Sequence, residues 1–160
     1  MKIYEALAEI KTLEADVEQL SKFQESSLLY DVDSEPDFKY DELSAQIDTT
    51  LRRKTELKIA VQSANLSNKV RVGEVDVTLA KAILDLSNIR AKLANVSSTL
   101  SVDGGRRGLF AGERRSKEDI PQKRQKSKAE LLEIQTNYRK ERNALDAVIQ
   151  EANHKIEIAA

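Results

Sequence analysis

The sequence predicts an all-α protein: an antiparallel bundle of four long helices with heptad-like seams and room for one short β-hairpin. Three observations predict it. Apolar residues recur seven apart in two segments and at looser helical spacing in two more, the period of helices that pack on one another. Charged residues make up 33% of the 160 and aromatic residues only 4%, a balance that suits long solvent-laced helices better than a thick globular core. Turn and breaker residues fall between these segments rather than inside them. With no Trp and seven aromatic residues in total, aliphatic seams must carry the hydrophobic work.

The first helix is expected over about 2–26. Ile3, Ile10 and Val17 fall seven apart and Ala6, Leu13 and Leu20 follow each by three, with Leu7 and Phe23 beside them. β-branched residues at one seam position and mostly Leu at the other mark a helix–helix interface. The next residues, SSLLYDVDSEP, break the period and gather acids ahead of Pro36, which is placed to open the first turn of a second helix over about 37–66. That helix carries Tyr40, Leu43, Ile47, Leu51, Leu57, Val61 and Ala64, and Arg52, Arg53 and Lys54 interrupt the spacing as a slip in period.

Residues 69–77 change to period two. Val70, Val72, Val75 and Val77 flank Gly73-Glu74, the pattern of a short strand pair. Asp76 or Thr78 is a fitting N-cap for the third helix, about 78–100, where Leu79, Leu86, Leu93 and Leu100 are spaced by seven and Ala82, Ile89 and Val96 follow by three. Residues 101–126 read as a long mobile connection holding four of the five glycines and Pro121. Ser127-Lys128-Ala129-Glu130 then spells a capping box that opens a fourth helix over about 128–156, with Leu131, Ile134, Tyr138, Leu145, Val148, Ile149, Ala152 and Ile156 on its apolar side. At this length a single domain over 1–160 is expected.

Charge is uneven along the chain. Residues 1–48 hold 4 Lys/Arg against 13 Asp/Glu, a net of −9, whereas residues 106–128 hold 9 against 3, a net of +6; the whole chain is at −1. Opposite fields of this size attract over about a Debye length, roughly 10 Å at 0.1 M salt, and suggest pairing within or between copies. A solvated surface of mixed charge accounts for the same numbers.

Chemistry is sparse. The absence of Cys excludes a thiol nucleophile, a disulfide or a cysteine-held metal. Glu151-Ala152-Asn153-His154 has the Glu-x-x-His spacing of di-iron bundles, but such a site needs two of these pairs and His154 is the one histidine; an exposed histidine near a fraying helix end is the plainer reading. The segment GGRRGLFAGERR lacks the Lys-Ser/Thr pair and the preceding strand of a P-loop. Its arginines remain candidates for polyanion or intersubunit contact: Arg106, Arg107, Arg114 and Arg115, joined by Lys117, Lys123 and Arg124. A single Phe110 among them is too little for base stacking. Asn65, Asn68, Asn95, Asn137 and Asn153 read first as helix caps. No Ser-His-Asp arrangement with a nucleophile elbow occurs, so no enzyme activity, catalytic residue, cofactor or metal is expected. No run of 18 apolar residues and no signal peptide are seen, which makes the cytoplasm the expected location.

In order along the chain, KIYEALAEIKTLEADVEQL, AVQSANLSNKV, TLAKAILDLSNIRAKL and RNALDAVIQEAN resemble the septicolysin-like family of small bacterial helical proteins. Ala64 stands where that family tends to Thr, and His154 where it tends to Trp. The resemblance implies a long-helix bundle without an established enzymatic activity, and its name adds a membrane-active toxin as one alternative. The residues themselves favour a self-associating helical scaffold or interaction protein, with a nucleic-acid or polyanion-binding module acting through 106–128 as the other alternative.

Overall fold

In the computed structural model the described residues are 1–31, 33, 35, 38–102 and 125–159. They form α1 (Ile3–Ser26), α2 (Tyr40–Ser67), β1 (Lys69–Val72), β2 (Val75–Thr78), α3 (Leu79–Leu100) and α4 (Lys128–Lys155). The protein is thus mostly helical, with one small antiparallel hairpin, as the periodicity predicts. Contacts divide it into two compact units, Met1–Ala82 with Val148–Ala160, and Ile83–Ala147.

In the first unit α1 and α2 lie antiparallel. Near the connection Gln24 Nε2 donates to Ser44 Oγ at 2.5 Å, while further along Arg53 Nε donates to Glu9 Oε1 at 2.8 Å and Lys58 Nζ to Glu14 Oε1 at 2.8 Å. Burial follows the predicted seam of α1: Ile3, Ala6 and Ile10 are buried, and Leu13, Val17 and Leu20 are half-buried. Leu7, one step off the seam, is exposed.

The predicted slip in α2 does not occur. Leu43, Ile47, Thr50, Lys54, Leu57, Val61 and Ala64 are all buried or half-buried, and they step by four and three without a break. The seam runs through Thr50 and Lys54, two polar residues that a search for apolar positions passes over. Lys54 can hold such a position because its methylene stem covers apolar surface while the ammonium reaches water. Tyr40, assigned to the stripe from sequence, is exposed, and the helix opens at that residue rather than at 37; Pro36 and Asp37 lie outside the described residues.

Asn68 ends α2. Its backbone N–H donates to the Ala64 carbonyl at 3.0 Å and its Nδ2 to the same oxygen at 2.9 Å. The strands pair in the register Lys69↔Thr78 to Val72↔Val75, which leaves Gly73-Glu74 as a two-residue loop. Gly73 has φ +61°, and no described non-glycine residue has a positive φ, so the loop is of type II′, with glycine at the one position that requires it. The Leu79 N–H donates to the Asn68 carbonyl at 2.9 Å and closes the base of the hairpin. Of the two predicted caps it is Thr78 that serves, its Oγ1 accepting from the Lys81 N–H at 3.2 Å.

The end of α4 does not fray. The chain after Lys155 turns alongside the first residues: the Ile3 N–H donates to the Ile156 carbonyl at 3.1 Å, the Ile158 N–H donates to the Met1 carbonyl at 2.8 Å, and Lys2 and Glu157 form a bridge. Ile3 and Ile158 are buried there, which satisfies backbone groups that both ends would otherwise leave open.

The second unit is also an antiparallel helix pair. Arg90 meets Asp146 at 3.1 Å, Gln135 Nε2 donates to Ser97 Oγ at 2.9 Å, and Lys92 sits 5.6 Å from the centre of the Tyr138 ring. Leu86 and Ile89 on α3 and Leu131 and Leu145 on α4 are buried, with Leu93, Val96, Leu100, Ile134 and Tyr138 half-buried. The sequence reading missed Gln135, which is only 8% exposed yet occupies a seam position and meets its hydrogen-bonding need on Ser97. The predicted capping box is present: the Ser127 N–H donates to Glu130 Oε2 at 2.7 Å and the Glu130 N–H to Ser127 Oγ at 3.2 Å.

Candidate interaction surface

Each residue that the sequence nominated for contact in the basic connection, Arg106, Arg107, Arg114, Arg115, Lys117, Lys123 and Arg124, lies outside the described residues. The described chain resumes just beyond them with Gln125, Lys126 and Lys128 exposed.

The Glu-x-x-His spacing builds no ligand set. Glu151 is engaged by Lys155 one turn on, and the exposed His154 packs its ring against Tyr4, with centroids 4.4 Å apart. Among the described residues no group of three or more His, Cys, Asp or Glu side chains is placed to hold a metal ion. Of the five asparagines nominated as caps only Asn68 acts as one; Asn95 and Asn137 are exposed within helices, Asn153 is buried within α4, and the Oδ1 of Asn65 is buried without a hydrogen-bond partner.

The surface that stands out was read from sequence only as a loop. Where α1 passes to α2, Leu28, Leu29 and Tyr30 are 65%, 87% and 60% exposed, and Phe38 and Tyr40 remain 44% and 48% exposed. Phe38 stacks on Phe23 of α1 at 5.0 Å between centroids and 19° between planes, which ties the far side of the connection back to the helix. Beside it a groove of about 600 Å³ opens between α1 and α2, bordered by Asp16, Leu20, Phe23, Gln46 and Thr49. Single exposed apolar residues are ordinary on proteins, whereas a group of five large ones in one connection is a candidate for contact. The sequence carries half of the signal: LLY between two helices is too apolar for a solvated loop, but it would suit a buried turn equally well.

Acids surround these side chains. Residues 16–48 carry ten Asp/Glu against two Lys/Arg, a net of −8. The acids nearer the start of α1 are answered from α2, Glu9 by Arg53 and Glu14 by Lys58, and Lys58 holds the Glu14 carboxyl below its ordinary range. Toward the turn the pairs are local, Glu18 with Lys22 at 2.6 Å and Glu42 with Lys39 at 3.2 Å. The connection and its flanks therefore keep a strong negative balance, ten acids against two bases over residues 16–48.

Several carboxyls share a direction of shift, which fixes the acid response. Glu5 is lowered by the Lys2 N–H and then by the Tyr4 hydroxyl, Glu14 by Lys58, Glu18 by Lys22, Glu130 by the Ser127 N–H and then its hydroxyl, and Glu151 by Lys155. As pH falls, the unfolded chain takes up protons first, near the ordinary glutamate value of about 4.3, so stability is full above that value and declines as pH passes through the lowered ones. Thermal melts are expected to be flat from pH 7 to about 5 and to fall below about 4, with a smaller fall in Glu130→Gln. Because all five groups are solvent-exposed, each contributes little. A midpoint that rises on acidification would contradict the assignment.

No curated protein matches the chain. Among solved structures, it is similar to a functionally unknown conserved protein from Corynebacterium diphtheriae, with a TM-score of 0.76 over 99% of each chain and 18% sequence identity, a likeness of fold alone. A family model described as a family of unknown function, DUF6847, matches residues 10–158. That span takes in most of α1, all of α2, the hairpin, α3 and α4, and the chain belongs to this family of unknown function.

Proposed function

We propose that the protein is a non-enzymatic helical interaction protein that self-associates. One observation carries this reading: the cluster of exposed Leu28, Leu29, Tyr30, Phe38 and Tyr40 at the α1–α2 connection, which a solitary chain would leave in water. The half-buried seam next to it supports the same reading. Val17, Leu20 and Phe23 on α1 and Ile47 and Leu51 on α2 gain further burial only if something else covers them. The acidic flank separates this reading from the membrane-active one that the septicolysin-like resemblance implies, since anionic headgroups repel a tip of net −8. Light scattering after size exclusion, at micromolar protein and at low and high salt, tests the proposal. Assembly above the monomer mass is expected, strongest at low salt; a monomer at both salts overturns it.

A further inference from the structure

We infer that the acidic, aromatic end of the α1–α2 pair receives the basic connection, residues 106–128, of a second copy. The inference rests on the self-association proposed above and names the surfaces that meet. Two arrangements bring copies together at this end, and charge decides between them. If two α1–α2 pairs packed tip to tip, each net of −8 would face another −8, and every close approach of like charges would oppose the contact. If the tip meets residues 106–128, −8 faces +6, and the contact is attractive over about a Debye length before any apolar surface is buried. The chemistry of the two surfaces matches as well. The tip offers Glu25, Asp33, Glu35 and Asp41 around Leu28, Leu29 and Tyr30, all exposed. The basic segment offers Arg106, Arg107, Arg114 and Arg115 on either side of Leu109 and Phe110 in its sequence. Guanidinium groups pair with carboxylates and also stack on aromatic faces, so arginines suit a surface that has both. Within a pair of copies each contributes one tip and one basic segment, so two such contacts close a two-fold dimer, and unreciprocated ones extend a chain.

Charge reversal on the full-length chain tests this, read by sedimentation velocity at 50 mM and 500 mM salt, with circular dichroism at 222 nm confirming the helix content of each variant. A tip variant carries Glu25→Lys, Asp33→Lys, Glu35→Lys, Asp41→Lys and Asp48→Lys, which takes residues 16–48 from −8 to +2; a segment variant carries Arg106→Glu, Arg107→Glu, Arg114→Glu and Arg115→Glu, which takes residues 106–128 from +6 to −2. Each alone is expected to weaken association by at least about tenfold at low salt, and the chain carrying both sets, with +2 facing −2, is expected to regain part of it. Loss in both single variants with recovery in the combination supports the inference. Association that survives the segment reversal overturns it in favour of tip-to-tip packing, and association that survives the tip reversal overturns it in favour of another surface. If the segment reversal instead abolishes binding to single- or double-stranded nucleic acid while leaving assembly intact, the basic residues serve a polyanion and the inference fails. A wild-type chain that is monomeric throughout sinks the self-association reading itself, an outcome distinct from all of these.

Discussion

Leu57→Ala should destabilise the first unit by about 2–5 kcal/mol, whereas Leu66→Ala on the same helix should change its stability by no more than about 0.5 kcal/mol. Both replace leucine by alanine in α2, and leucine and alanine are both good helix formers, so helix propensity cancels from the comparison. What differs is surroundings. Leu57 is fully buried between the helices, and its loss leaves a void that the seam of α1 can fill only in part. Leu66 is 68% exposed and leaves none. The contrast tests whether α2 buries the face that carries Leu57, a position that the stripe read from sequence and the continuous seam share. Urea unfolding followed by circular dichroism is the measurement, since the chain has no Trp to report by fluorescence. Equal midpoints for the two variants would refute the seam.

The contrast bears on function too, since the α1–α2 pair presents the exposed cluster. A destabilised pair would present Leu28, Leu29 and Tyr30 on a loosened support, so an association defect in Leu57→Ala would be indirect. The charge reversals at the tip, which sit on exposed residues, avoid that confusion.

The elements were legible where the code is local and repetitive. Leu79, Leu86, Leu93 and Leu100 report a helix face through their own spacing, and Gly73-Glu74 between two Val-x-Val pairs reports a hairpin because only a residue free to take positive φ fits that corner. Caps were legible for the same reason: Ser127 and Glu130 satisfy each other three residues apart. What failed was any seam position filled by a polar side chain. Thr50, Lys54 and Gln135 break the apolar pattern without breaking the geometric one, because each can turn its polar end to water or to a neighbour. Counting alternate steps of three and four straight through them would have recovered the register.

The candidate surface was less legible, for a different reason. Its acids and its LLY segment are plain in the sequence, but exposure is a property of packing. Nothing local distinguishes Leu28 and Leu29 from the leucines of a buried turn. The meeting of the two chain ends was not legible, since Lys2 and Glu157 are far apart in sequence and the alternation of Ile156-Glu157-Ile158 is too short to stand out from the end of α4.

That junction gives the other large effect. Ile158→Asp is expected to cost about 2–3 kcal/mol and no more, although placing a carboxylate at a buried site ordinarily costs far more when the site cannot relax. The reason is position. Ile158 lies three residues beyond α4, and its segment is held by its own burial, by the Ile158 N–H to the Met1 carbonyl and by the Ile3 N–H to the Ile156 carbonyl. Faced with a buried charge, the segment detaches. The loss is then capped near the burial of one isoleucine, about 1.5–3 kcal/mol, because the hydrogen bonds given up are exchanged for bonds to water and the released backbone regains freedom that offsets the rest. Detachment also uncovers Ile3, which is 1% exposed in the intact protein. Hydrogen exchange separates this from general unfolding. The Ile3 amide should lose its protection in Ile158→Asp, while amides in the middle of α3, around Ile89 and Leu93, should keep theirs. An Ile3 amide as protected as in the wild type would mean that the first turn of α1 does not depend on the tail, and that the two ends of the chain only lie near each other.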